Sequence, residues 1–160
     1  MLRDEYEHLI DKSVLCWLAT ASADGEPSVS PKEIFTHRGG TSLIIANIAS
    51  PRSAKNVREN PRVCVSCLDV FTQKGLQLRG SAQLVTDKDP GFSSLAEPLT
   101  AMASGRFPFV SLFEVTIEAV KPILAPSYVF YPETTEDQQV RNAMQSYGVR
   151  PGAASSASGR

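Results

Sequence analysis

The sequence contains few of the residues that build metal centres, disulfide frameworks and nucleophilic active sites. It has two histidines and three cysteines in 160 residues. Cys64 and Cys67 have the spacing of a CxxC motif, but their segment is typical of a β-strand, where residues three apart point to opposite faces. We therefore interpret both residues, and Cys16 in a similar apolar run, as buried free thiols. The sequence also shows no Ser–His–Asp, Cys–His or paired-carboxylate pattern.

Long hydrophobic runs and an excess of one charge are missing as well. No apolar run approaches the length of a membrane span, and 16 Lys and Arg against 17 Asp and Glu give a formal net charge of −1. This balance argues against general nucleic-acid binding. Because residues 1–7 are too acidic and polar for a secretory signal, we expect a cytoplasmic protein. A hydrophobic content of 42% indicates one globular domain, residues 1–150, with a mobile tail at residues 151–160.

Alternating and short apolar segments predict six β-strands. The strands are expected at 14–21, 26–36, from 43 onward, 63–68, 74–85 and 109–120, and helices at 3–12, 51–60, 87–104 and 135–146. Asp24-Gly25 is typical of a tight hairpin, and most connections between the strands are equally short. Because such turns join antiparallel neighbours, the expected fold is mostly β with flanking helices, a six-stranded antiparallel split β-barrel.

The helix that follows the third strand carries the strongest functional signal. Ser50-Pro51 predicts its start, because a hydroxyl can cap free N–H groups and the proline ring fixes a helical φ. A helix N-terminus suits a phosphate, whereas Arg52 in the first turn opposes the helix dipole unless an anion binds there. The segment carries four cations against one anion: Arg52, Lys55, Arg58 and Arg62 against Glu59. It is interpreted either as a phosphate site or as a solvated basic helix face.

Two strands contribute further candidate residues. Pro31 in the second strand cannot donate a ladder hydrogen bond, which implies an edge, a bulge or a local break. Lys32 beside such a break is a candidate anion partner, although exposed lysines are common on edge strands. The polar face of the fifth strand includes Gln77 and Arg79, which either line a site or face water. Gly80 in the same strand indicates a bend or the close approach of another backbone.

Four short segments in the first half of the chain follow one another in an order that is shared with a known family. They are Leu18-Ala19-Thr20 with Asp24-Gly25-Glu26-Pro27, then Val29-Ser30-Pro31, then Ser50 to Asn56 with Asn60-Pro61-Arg62-Val63, then Leu78-Arg79-Gly80-Ser81-Ala82. Together they resemble the flavin-binding split-barrel family typified by pyridoxamine 5′-phosphate oxidase. The resemblance implies a homodimer that binds FMN in the groove between its subunits. Aromatic residues late in the chain, such as Phe107 and Tyr128, fit either a dimer contact or an ordinary core.

The resemblance also implies which residues hold the FMN phosphate. Ser50, Arg52 and Ser53 match the stretch that grips the phosphate in the family. Arg52 occupies the arginine position, whereas Ser53 stands where many members have lysine. Lys55, one half-turn further on, or Lys32 would supply the missing cation.

Two strand segments are implied around the isoalloxazine ring. The second strand matches the segment whose backbone lines the ring, and it comprises Ser30, Pro31, Lys32, Glu33 and Ile34. Gln77 and Arg79 lie on the face of the fifth strand that looks toward the flavin in the family.

The C-terminal part departs from pyridoxamine 5′-phosphate oxidases, which end in a segment with a tryptophan and an arginine. The one tryptophan here is Trp17, and residues 126–132 contain no arginine. We therefore expect an FMN-binding flavoprotein, an oxidoreductase of unidentified substrate, rather than an enzyme of vitamin B6 oxidation. The alternatives are a flavin-binding sensor or storage protein without turnover, a deazaflavin-binding protein, or a haem protein, for which His8 and His37 are the only histidines.

Overall fold

The computed structural model describes residues 2–152, which form one antiparallel sheet flanked by helices. The strands are β1 (Cys16–Ala21), β2 (Pro27–Lys32), β3 (Phe35–Arg38), β4 (Ser42–Ala46), β5 (Arg62–Asp69), β6 (Lys74–Thr86) and β7 (Ser111–Leu124). The helices are α1 (Asp4–Lys12), α2 (Pro51–Glu59), α3 (Phe92–Ala103), α4 (Pro126–Phe130) and α5 (Glu136–Tyr147). From residue 153 onward, the predicted mobile tail lies outside the described residues.

The sheet has seven strands in the order β2-β1-β5-β6-β7-β4-β3, curled into a half-barrel. This confirms the split-barrel fold but corrects the predicted number of six strands. The predicted strand 26–36 breaks after Lys32, because β2 pairs with β1 whereas β3 pairs with β4 at the opposite edge. Pro31 lies on the edge strand β2. Because an edge strand has a partner on one side only, the N–H that proline lacks does not interrupt the interior of the sheet. The helix α4 was not predicted.

Two groups of apolar side chains form the core. The larger group fills the inside of the curled sheet, where Leu18, Leu78 and Phe113 are fully buried. The smaller group lies between α3 and the sheet and includes Leu99 and Leu112. Burying a side chain of this size stabilises a fold by about 1.5–3 kcal/mol, so these groups fix the strands against which the helices pack.

Helix α2 is fixed on the sheet by a few buried contacts. Ala54 and Val57 belong to the larger core group. The buried Asn56 side-chain amide donates to Thr20 Oγ1 on β1 at 3.0 Å. These contacts set the position of the first turn of α2 relative to β2, and that junction forms the candidate site.

Candidate functional site

A cavity of about 360 Å³ opens where β2 and the turn after it meet the segment between β4 and α2. Its volume lies within the range of small-molecule sites in proteins. The side chains of Ser30, Lys32 and Ser50 form one hydrogen-bonded group in it, Glu33 adds a carboxylate to the lining, and the other lining residues are apolar. The cavity is lined by Ser30, Pro31, Lys32, Glu33, Ile34, Ala46, Ile48, Ala49, Ser50 and Phe107.

Lys32 provides a buried positive charge at this cavity. The residue is 6% exposed, and its Nζ donates to Ser30 Oγ at 2.6 Å and also to Ser50 Oγ. The two hydroxyl oxygens are 3.3 Å apart. Nζ also lies 5.9 Å from the centre of the Phe113 ring. Within residues 2–152, no carboxylate forms an ion pair with Lys32.

The pKa of Lys32 is lowered, because burial removes water from the ammonium group. Buried charges in proteins are normally paired or bound to a ligand, since an isolated buried ion is costly. Among residues 2–152, the hydroxyl groups of Ser30 and Ser50 are the only side-chain groups that accept hydrogen bonds from Nζ. An anion entering the cavity would supply the negative charge that the described part of the chain does not.

The N-terminus of α2 adds to the attraction for an anion. Ser50 is the N-cap residue, yet its side chain makes no capping hydrogen bond and instead accepts from Lys32. The first turn contains no acidic residue. The first N–H groups of a helix have no carbonyl partner within the helix, and they carry the positive end of the helix dipole. Lys32 and this helix end therefore attract negative charge to the same point.

Three residues predicted near the phosphate, all on α2, do not line this cavity. Arg52 is exposed, and its guanidinium forms an ion pair with Glu26 at 3.1 Å. Lys55 is also exposed and pairs with Glu59 at 4.0 Å. Ser53 is only 2% exposed and packs on the inner side of the helix. Lys32 and Ser50 are therefore the predicted phosphate residues whose side chains meet in the cavity, whereas the two exposed cations are paired outside it.

The sequence matches the model of one known protein family. Residues 2–124 match the family model described as pyridoxamine 5′-phosphate oxidase. The chain belongs to this family. No curated protein matches it by sequence.

Solved structures of similar fold come from several bacteria. An FMN-binding protein from Syntrophomonas wolfei is 14% identical, with a TM-score of 0.64 over 76% of this chain and 86% of its own. HupZ from Group A Streptococcus is 21% identical, with a TM-score of 0.64 over 75% and 92%. HutZ of Vibrio cholerae, a haem storage protein, is 19% identical, with a TM-score of 0.60 over 77% and 94%. At these identities the similarity shows the shared fold.

The last two residues implied by the family, Gln77 and Arg79, do not join the cavity within one chain. Both lie on the outward face of β6, and Arg79 borders a shallow depression with Thr20, Arg62 and Cys64. In register across the sheet, Gln77 lies opposite Ser66 and Arg79 opposite Cys64. The two side chains are therefore available to a molecule that covers this outer face of the sheet.

Sequence reasoning missed the apolar walls of the cavity. Phe107 is 45% exposed and reaches the cavity from the segment between α3 and β7. Ala46 at the end of β4 lines the same space, and so do Ile48 and Ala49, which follow the strand. Ile48 and Phe107 form part of an apolar surface against which a ring can pack. No local pattern in the sequence distinguishes Phe107 from a core residue, because its position depends on how α3 crosses the sheet.

No helix in the described part of the chain is both long and apolar enough to cross a membrane.

Proposed function

We propose that the chain binds FMN in this cavity and acts as an FMN-dependent oxidoreductase. The observation that supports this proposal is the buried ammonium group of Lys32, whose side-chain acceptors are the hydroxyls of Ser30 on β2 and of Ser50 at the start of α2. A phosphate carries about two negative charges and several acceptor oxygens near neutral pH. It would neutralise Lys32 and accept hydrogen bonds from the first turn of α2.

The remaining cavity walls fit the flat, largely apolar body of a flavin. Ile34 and Ile48 offer aliphatic surface, and Phe107 offers an aromatic ring. The backbone of Pro31 and Glu33 lies beside this surface at the end of β2, where the edge strand leaves its polar groups unpaired on one side. When bound, FMN supplies hydride and electron transfer, while the protein positions the ring and controls access of water.

The two histidines of the chain lie away from the cavity. His37 lies between Glu7 and Asp11, with each of its ring nitrogens 3.4 Å from a carboxylate oxygen. His8 lines a different cavity beside α1. Because a haem iron is usually ligated by His, Cys, Met or Tyr, the absence of histidine from the lining of the candidate site favours a flavin over haem.

The test is a visible absorption spectrum of the purified full-length chain, repeated after addition of FMN and desalting. Retention of flavin bands, with riboflavin bound much more weakly than FMN, is the expected result. Retention of a phosphate-bearing deazaflavin but not of FMN would instead identify the deazaflavin alternative, and a Soret band would identify haem. If FMN is bound but neither NADH nor NADPH reduces it, the sensor or storage alternative replaces the oxidoreductase.

We also propose that the outer face of β2, β1, β5 and β6 is covered by a second copy of the chain. Trp17 on β1 is 47% exposed and Val29 on β2 is 60% exposed. Trp17 and Gln77 both lie opposite Ser66, so the apolar surface is continuous with the face that carries Gln77. Exposed apolar surface of this kind marks an interaction site. A dimer through this face would bring Gln77 and Arg79 into the interface, as the family resemblance implies.

Trp17→Glu is expected to convert a dimer into a monomer, because it places a charge at the centre of the apolar face. Light scattering at micromolar protein concentration measures the change. Met102→Glu is a matched control, since Met102 is 50% exposed on α3, away from the proposed interface. A wild-type chain that is already monomeric, or a Trp17→Glu variant that remains dimeric, would contradict this interface.

A further inference from the structure

A second cavity, of about 370 Å³, lies beside α1. Its walls come from α1, from the start of β6, from the end of β7 and from the start of α5. The cavity is lined by Arg3, Glu5, Tyr6, His8, Leu9, Lys12, Thr72, Lys74, Gly75, Pro122, Leu124 and Glu136. It shares no residue with the proposed flavin site.

One wall of this cavity lies outside the part of the chain that matches the family model. The family match ends at residue 124, whereas Glu136 belongs to α5. The C-terminal segment is attached by specific contacts: Tyr128 Oη donates to the Thr72 carbonyl at 2.8 Å, and Lys74 pairs with Glu136 at 2.7 Å. The ammonium group of Lys74 also lies 4.8 Å from the centre of the Tyr128 ring. The cavity is therefore bordered by an element that lies beyond the part of the chain that matches the family model.

Most charges around the cavity are paired, and one cation is not. Arg3 pairs with Glu5 at 2.9 Å, and Lys74 pairs with Glu136. Lys12 forms no ion pair among residues 2–152. The pKa of Glu136 is lowered by its hydrogen bond with Lys74, and Lys12 contributes to the same lowering. Lys12 is exposed and lines the cavity, so its charge faces a ligand bound there.

The charge and the apolar lining together define the class of ligand. Three cations (Arg3, Lys12 and Lys74) against two anions (Glu5 and Glu136) give a net charge of +1 without His8. This charge suits a monoanion, whereas a dianion such as a phosphate ester would be repelled by the two carboxylates. Leu9, Pro122 and Leu124 provide an apolar surface for a ring.

We propose that this cavity binds a small aromatic carboxylate, with the carboxylate at Lys12 and the ring against Leu9 and Leu124. The site is separate from the proposed flavin site, and its occupancy does not depend on flavin binding. The ligand would contact both α1 and the end of β7, from which the C-terminal segment continues.

The first experiment uses 2-naphthoate as the probe with the full-length chain, both without FMN and with FMN added. Titration calorimetry is expected to show binding in both cases, and amide shifts in ¹H–¹⁵N spectra are expected at Lys12, Gly75 and Leu124. The neutral 2-naphthamide should bind up to about fivefold more weakly, because it lacks the charge that the exposed Lys12 attracts. Shifts centred on Ser30 and Lys32 instead, or no binding at millimolar 2-naphthoate, would overturn the proposal.

The second experiment changes the cation. Lys12→Glu is expected to lower 2-naphthoate affinity by about tenfold or more, with little effect on the neutral amide. Lys88→Glu makes the same charge change at an exposed turn outside the cavity and should leave the affinity unchanged. Lys12→Gln provides a milder variant if the charge reversal prevents folding. Equal weakening of 2-naphthoate binding by Lys12→Glu and Lys88→Glu would show a non-specific charge effect and reject the site.

Discussion

Lys32→Met is expected to weaken FMN binding by about a hundredfold while riboflavin binding changes little. A hydrogen bond to a charged group contributes about 1.5–3 kcal/mol, and each 1.4 kcal/mol is tenfold in affinity. The contribution of Lys32 to FMN binding should lie near the upper end of this range. Its ammonium group is buried, and within residues 2–152 its side-chain acceptors are hydroxyl groups only. Methionine keeps most of the length of the side chain and removes the charge.

Arg52→Ala and Lys55→Ala are the matched controls for this prediction. Both side chains are exposed and paired with glutamates on the surface. Interactions of exposed charges are worth about 0–1 kcal/mol, so each substitution should change FMN affinity by about fivefold or less. Parallel FMN and riboflavin titrations followed by flavin fluorescence measure all three variants. An equal loss of both flavins in Lys32→Met would place the phosphate somewhere other than Lys32.

The same substitution should stabilise the FMN-free protein. Replacing a buried charge with an apolar side chain removes a desolvation cost, and comparable replacements of buried ionic groups are neutral or stabilise proteins by about 1–4 kcal/mol. Urea unfolding of the FMN-free wild type and Lys32→Met near neutral pH measures the difference. A clear loss of stability in Lys32→Met would show that the lysine has a structural role in the apo fold.

The lowered pKa of Lys32 also predicts the pH dependence of these quantities. Between the lowered pKa in the folded state and the ordinary value of 10.5 in the unfolded state, the unfolded chain binds more protons. The free energy of unfolding therefore rises with pH through this window. Below the window, the cost of burying the charged ammonium group lowers stability by its full amount. FMN affinity should fall over the same window as Lys32 loses its proton. Lys32→Met should show neither change.

Local sequence patterns predicted the elements of the site but not their relative burial. The Ser50-Pro51 signal located the start of α2, and the segment 30–34 converges with Ser50 in one cavity. The sequence could not show that Lys32 points inward while Arg52 faces solvent. That difference depends on the angle at which α2 packs against β1, through Asn56 and Thr20, which are far apart in the chain.

The strands of the sheet were also predicted from local patterns. The predicted sheet differs from the observed one at the break between β2 and β3. Alternating apolar residues predicted the long strands β6 and β7, because each strand has one face on the core. The number of strands was wrong because Lys32 and Phe35 have the same extended conformation but different partners. A change of pairing partner leaves little trace in local composition. Phe107 was missed because its position at the cavity depends on how α3 crosses the sheet, which local composition does not show.

Gly80→Ala is expected to destabilise the protein by about 3 kcal/mol or more, through the contact between β6 and β7. The sequence predicted either a bend or a close backbone approach at Gly80, and the structure shows the close approach. A Cβ atom there would lie 1.9 Å from the Thr116 carbonyl oxygen and 3.0 Å from its carbon. The strand register shifts between Arg79 and Gly80. Backbone atoms of a paired strand cannot move aside without loss of ladder hydrogen bonds.

Gly152→Ala is the matched control, because a Cβ atom at that position meets nothing within 4 Å, and it should change stability by less than about 0.5 kcal/mol. Urea unfolding of both variants measures the effect. A loss below about 1 kcal/mol in Gly80→Ala would mean that β7 does not approach Gly80 as closely as the structure shows. Because Arg79 lies directly before the irregularity, the substitution should also displace its guanidinium from the outer face. Any dimer formed through that face should then weaken together with the fold.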